Sequence, residues 1–238
     1  MHANGQKSLP AAQPPVPKPA ATLEHQARRR TVRLQLMADT RREHVLEAAR
    51  DAFVELGLEG ASLREIARRA GYTPGALYSY FTSKEAVYGA LLGESLQRLN
   101  AAVAAAPWPP DAAGQLRTKA LAFFNFYLEH PRDLDLGFYL YRGLQPRGLN
   151  KSLNDELNAS LLQALAPCGQ ALLDLGLDSE AALTETTALF AHMTGVLLLG
   201  HTGRIRLFAQ RPPDLMERYL QQLLARMPRA GARKRGKR

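Results

Sequence analysis

The residues best equipped for chemistry lie between 62 and 84, and their chemistry is that of contact. Thr73, Pro74, Gly75 and Ala76 form a run of small residues, followed by Tyr78, Ser79 and Tyr80. Small residues at the leading end of a helix let its backbone approach a partner closely, and base edges and phosphate oxygens are satisfied by hydroxyls and amides. Tyr78 and Tyr80 each present a ring with a polar tip, able to touch a phosphate or a thymine methyl. Ser62 and Arg64 before the run, Lys84 after it, and Arg41 and Arg42 further upstream are placed to grip a polyanion backbone. Nothing comparable points to turnover. The chain has no Gly-rich phosphate loop, no nucleophile elbow around a serine, and no Cys–His setting. His192 and His201 are nine apart and off metal-ligand spacing, and Cys168 is the single cysteine, so no metal, no cofactor and no enzyme activity are expected.

A set of short helices must position these side chains. Thr40 with Glu43 reads as a capping box opening a first helix, on which Val45, Ala49, Ala52, Phe53 and Leu56 share a face until Gly57 stops it. Ser62 with Glu65 is a second box, opening a helix over 63–70 whose Leu63, Ile66, Ala67 and Ala70 face inward. Gly71 suits a left-handed cap. Thr73 is a ready N-cap, with Pro74 at a first helical position where the missing N–H costs nothing. Thr82 with Glu85 reads as a third box, starting a longer helix whose apolar face is mostly Val87, Leu91, Leu92, Leu99 and Val103. A small Ala67, a tight Gly71 and an inward Leu77 are what two steeply crossing helices require, so 41–84 reads as a helix-turn-helix. Leu77 and Phe81 are core residues in this reading, while Tyr80 could either close the core or face outward.

The segment Thr73-Pro74-Gly75-Ala76-Leu77-Tyr78-Ser79-Tyr80-Phe81-Thr82-Ser83-Lys84-Glu85, with the lead-in from Ala48 through Phe53 and Gly57 to Ala67, closely resembles the recognition region of the tetracycline-repressor (TetR/AcrR) family. The resemblance runs from Arg41 to about Leu96. Tyr72 departs from it, standing where a smaller aliphatic residue is usual. It implies a repressor that binds a near-palindromic, double-stranded DNA operator as a homodimer, with an effector site and dimer interface in its C-terminal half.

Charge is unevenly distributed. Residues 1–42 carry a balance of +6 and residues 226–238 one of +7, while 43–225 stand at −4. Basic ends suit a polyanion. The helix-turn-helix itself, 41–84, is only +1, which makes Arg28, Arg29 and Arg30 a candidate backbone or minor-groove arm. With one cysteine and no secretory segment, a cytoplasmic protein is expected. The longest apolar run, Gly195 to Gly200, is far short of the about 20 residues that cross a bilayer, so no membrane association is expected.

The expected fold class is all-α: an extension at 1–39, a helix-turn-helix domain with connecting helix at 40–106, a helical domain at 111–227 for ligand binding and dimerisation, and a basic tail at 228–238. Pro107-Trp108-Pro109-Pro110 separates the two domains. Helices are expected near 112–129, 133–143, 150–175, 179–208 and 213–226. Phe123, Phe126, Tyr127, Phe138, Tyr139, Tyr141, Phe190, His192 and Met193 are candidates to line a pocket for a small, mostly apolar effector. Small residues at Ala188, Ala191, Gly195 and Gly200 would let helices meet closely across a dimer. The same sequence also admits a C-terminal domain that binds a protein instead of a small molecule, and a non-specific architectural DNA binder.

Overall fold

The computed structural model describes residues 20–138 and 151–228. Among these the fold is all-α, with no strand. Tyr139 and Tyr141 lie outside the described residues, as do 229–238 of the basic tail. Two compact units divide between His44 and Val45. The first helix, α1 (Ala20–Gly60), begins well before the expected start at Thr40. Thr40 is not a cap: its hydroxyl donates back to the Leu36 carbonyl inside the helix. The upstream stretch contains no Gly or Pro to stop a helix, so the ladder continues through it. Arg41 is exposed and Arg42 half-buried.

The remaining elements belong to the second unit. They are α2 (Leu63–Arg69), α3 (Pro74–Tyr78), α4 (Lys84–Ala105), α5 (Ala112–Glu129), α6 (Pro131–Gly137), α7 (Lys151–Asp174), α8 (Ser179–His201), a 3₁₀ turn (Arg204–Phe208) and α9 (Pro212–Ala225). The expected 112–129 helix is found as such. The expected 179–208 helix is not continuous. Gly203 enters the left-handed region at φ 70° and the chain tightens into the 3₁₀ turn. The expected 133–143 helix starts earlier, because Pro131 occupies a first helical position that needs no N–H.

A core built from Phe53, Ile66, Leu77, Tyr88, Leu91, Leu116, Phe123 and Leu172 is fully buried. α7 packs on α4, α5 and α8, and α9 lies on α8. Two polar links tie α4 to α6: Arg98 pairs with the buried Asp133, and the buried Tyr88 hydroxyl donates to the Leu136 carbonyl. Tyr88 also stands edge-on to Phe53 at 5.8 Å, so one side chain touches the core of α1 and the end of α6.

Candidate nucleic-acid interface and effector cavity

The geometry of α2 and α3 follows from their caps. The Ser62 hydroxyl accepts from the Glu65 N–H, which is half of the expected capping box. The other half is absent: the Glu65 carboxylate is held by Arg68 and Arg69 at 2.7 Å each. Charged guanidinium partners outcompete a neutral backbone N–H. Arg69 bridges on to Glu55 at 2.7 Å, tying α2 to α1. At the end of α2 the Tyr72 N–H reaches the Ala67 carbonyl and the Gly71 N–H reaches that of Arg68. This is a Schellman turn, and it requires Gly71 at φ 73°. Thr73 then caps α3 by accepting from the Ala76 N–H, with Pro74 at the first turn.

The result is a short helix with one buried anchor. Leu77 is fully buried and Phe81 nearly so, while Thr73, Pro74, Gly75, Ala76, Tyr78, Ser79 and Tyr80 are exposed. Tyr80 therefore faces outward instead of closing the core. Gly75 is informative. A Cβ there would meet nothing within 4 Å, and its φ is not positive, so nothing inside the chain asks for glycine. Ser62 and Arg64 are exposed on α2 beside this run.

Two expectations need correction. The N-cap of α4 is Ser83, accepting from the Ala86 N–H, and not Thr82, so Glu85 forms no capping box. Lys84 is also committed inside the fold: its ammonium donates to the Leu58 carbonyl at 2.8 Å and to that of Glu59 at 3.2 Å. That tether to the end of α1 sets the register in which α4 begins. A lysine has three donors, so one stays available for an external oxygen.

Bonding to Arg68, then to Arg69, holds the Glu65 carboxyl at about 2, below its ordinary 4.5. A depressed carboxyl stabilises the fold fully above its unfolded pKa and loses that contribution as pH falls through the folded value. Replacing Glu65 by glutamine should therefore lower the urea midpoint at neutral pH. The gap from the unsubstituted protein should shrink between pH 4.5 and 2 and close below it. A gap that persists in acid would assign the effect to packing. The pair is exposed, so the effect is modest.

In the C-terminal half a cavity of about 230 Å³ is lined by Leu92, Leu96, Tyr127, Phe138, Leu157, Phe190 and neighbouring groups. Three of the sequence candidates, Tyr127, Phe138 and Phe190, meet at its wall. Tyr127 stands edge-on to Phe138 at 5.5 Å, and Phe123 stands edge-on to Phe190 at 5.9 Å behind them. Burial first, and then the Asp133 carboxylate, pushes the Tyr127 hydroxyl above the ordinary range, so it stays protonated. Phe123, Phe126, His192 and Met193 do not line this cavity. Phe126 stacks on His130 at 4.9 Å, and His192 lies flat on Tyr219 at 3.9 Å. Met193 is fully buried. Burial holds the His192 imidazole below its ordinary pKa, against the pull of the Leu215 backbone. The sequence reading missed Leu92 and Leu96 on α4 and Leu157 and Leu161 on α7, because aliphatic spacing alone does not separate a cavity wall from a filled core.

The family model for bacterial regulatory proteins of the tetR family matches residues 45–91. Over 97 residues the chain is 38% identical to the HTH-type transcriptional activator FasR of Mycolicibacterium smegmatis, covering 40% of this chain and 44% of that one. Over 64 residues it is 39% identical to the HTH-type transcriptional repressor AcnR of Corynebacterium diphtheriae, covering 27% and 34%. The chain thus spans less than half the length of these curated relatives. Among solved structures, the transcriptional regulator FadR from Bacillus subtilis in complex with stearoyl-CoA shares the fold at TM-score 0.56 and 18% identity, over 77% of this chain and 97% of that one.

Proposed function

We propose that this chain is a ligand-responsive, sequence-specific transcriptional repressor of the tetR family, a reading supported by the match of residues 45–91 to the model for bacterial regulatory proteins of that family. In this reading it binds a near-palindromic operator as a homodimer in the cytoplasm. The observation that carries the reading is the outward face of α3, small and polar from Thr73 to Tyr80, on a helix anchored by the single buried Leu77. A short helix with one inward residue stabilises little of the fold, so its other side chains are free to serve a partner. A helix-turn-helix sets such a face into the major groove. Ser62, Arg64 and the spare donor of Lys84 would hold phosphates; Arg41, Arg42 and the basic stretch Arg28–Arg30 are separate candidates for backbone contact.

The domain division at 40–106 and 111–227 is part of the same proposal, with 1–39 and 228–238 as basic extensions. Dimerisation is supported by α8. This helix is long and apolar enough to cross a bilayer by length and composition alone, yet 28% of its most apolar window is buried. Ala188, Ala191 and Gly195 are exposed on it, beside Leu198, and a Cβ at Gly195 would meet nothing within 4 Å. A stripe of that kind fits a second copy of the same helix. The aromatic cavity would take a small, mostly apolar effector. Phe138, on its wall, is two residues from Leu136, whose carbonyl holds Tyr88 of α4, so a ligand that moves the end of α6 would pull on α4. It shifts DNA affinity only if it binds the two dimer geometries unequally. The structure of Bacillus subtilis FadR in complex with stearoyl-CoA, which shares the fold, supports this reading.

The test is selection of purified protein on random duplexes at near-physiological salt. Enrichment of one inverted repeat supports the proposal, and tight binding without enrichment replaces it with an architectural role. Gly75→Ala is a sharper probe. It should leave stability unchanged or raise it by up to about 0.5 kcal/mol, since alanine is the better helix former. It should weaken operator binding by about tenfold, because a methyl would stand between backbone and base edges. Equal affinity would remove α3 from the interface.

A further inference from the structure

A second concavity, of about 460 Å³, opens where α5 and α6 face the end of α8, the 3₁₀ turn and the start of α9. Its lining mixes two chemistries. Leu128, Leu134, Leu197, Ile205 and Pro212 contribute apolar surface, and Arg206, Gln210, Arg211 and His201 contribute polar and cationic groups. Neither Arg206 nor Arg211 has an ion-pair partner among the described residues, and no carboxylate lies in the lining. His201 is held in place by Asp135 at 2.9 Å. The local backbone is built to present these groups. Ala209 sits in the left-handed region at φ 50°, which is unfavourable for a residue with a Cβ, immediately before Gln210 and Arg211. Arg211 itself is the N-cap of α9, so the positive end of that helix adds to the two guanidinium charges.

We propose that this groove binds an organic anion: a carboxylate, or a similar acid, attached to an apolar body. Two guanidiniums without ion-pair partners among the described residues, in a groove that is otherwise largely apolar, match an acid head with a hydrocarbon tail, and neither part alone would use the whole surface. The buried Tyr127 lines both this groove and the aromatic cavity, so the two share a wall. The inference therefore rests on the effector-binding reading above and specifies it: the effector is acidic, and its acid group is recognised at Arg206 and Arg211.

The experiment is calorimetric titration of the full-length protein, without DNA, with octanoate, decanoate and dodecanoate and with the corresponding neutral alcohols. The acids should bind more tightly than the alcohols. In the Arg206→Gln/Arg211→Gln protein that advantage should disappear, with acid affinity falling by about tenfold or more and alcohol affinity unchanged. Arg204→Gln, on the same turn and outside the groove lining, should change neither. Equal binding of acid and alcohol by the unsubstituted protein, or no binding of the acids, overturns the proposal. So does a loss reproduced in full by Arg204→Gln, which would mean unspecific charge. None of these readouts involves an operator, so failure here is distinguishable from failure of the DNA-binding reading.

Discussion

Replacing Lys119 by methionine should lower the thermal midpoint by about 5–10 °C. Lys119 is 2% exposed, and its ammonium donates to the carbonyls of Val103 at 2.7 Å and Ala106 at 2.8 Å. Those carbonyls belong to the last turn of α4, where no further helical N–H exists to pair with them. The ammonium also lies 4.9 Å from the centre of the Trp108 ring. One side chain thus caps α4, complements the negative end of its dipole and ties it to α5. Methionine fills the volume but leaves the carbonyls without a donor, at a cost of about 1–3 kcal/mol for each buried group. Part of that is offset because a charge no longer needs to be buried, which leaves about 3 kcal/mol. Differential scanning calorimetry decides it: an unchanged midpoint would mean that water reaches these carbonyls. Because α4 leads directly from the recognition region, the same variant should also bind its operator less tightly.

Replacing Tyr78 and Tyr80 together by alanine should have the opposite profile, with stability retained and operator affinity lost by about a hundredfold. The rings are 54% and 39% exposed, so their removal opens no cavity in the core. Each contact to a base edge or phosphate contributes about 1–3 kcal/mol, and two lost contacts multiply. Electrophoretic mobility shift on the selected operator measures the affinity, and circular dichroism checks the fold. Substituting phenylalanine at both positions separates the hydroxyls from the rings: affinity restored by phenylalanine would assign recognition to apolar contact with thymine methyls. Retained affinity in the alanine variant would move the interface away from α3 and return Tyr78 and Tyr80 to the ordinary surface.

The helix-turn-helix was legible because its determinants are local. A cap is decided by a side chain and an N–H three residues away, and the Gly71 turn by the one residue type that takes positive φ without strain. Where two local signals competed, spacing alone was insufficient. Thr82 and Ser83 are both good caps; the fold uses Ser83, next to a Lys84 tethered to Leu58 and Glu59, 26 and 25 residues away in sequence. Glu65 likewise fitted a capping box until the guanidiniums of Arg68 and Arg69 were placed beside it. Thr40 looked like a helix start because its motif is complete, but a motif cannot report that the helix is already running.

By itself, then, the sequence determined the all-α class, the order of helices, the recognition segment and the inward Leu77 and Phe81, all of which depend on periodicity and on interactions within a few residues. Tertiary structure alone decided which aromatic residues share a cavity. Phe126 and His192 have the right chemistry, yet each is turned onto a neighbouring ring. It also decided what surrounds Lys119, a charge that helical spacing puts on the same face as Leu116 and Phe123. Periodicity shows that such a lysine is out of place, but only the folded chain brings the end of α4 to it. The groove at Arg206 and Arg211 has the same origin, assembled from α5, α6, α8 and α9. Long-range proximity is the physical quantity that neither composition nor spacing contains.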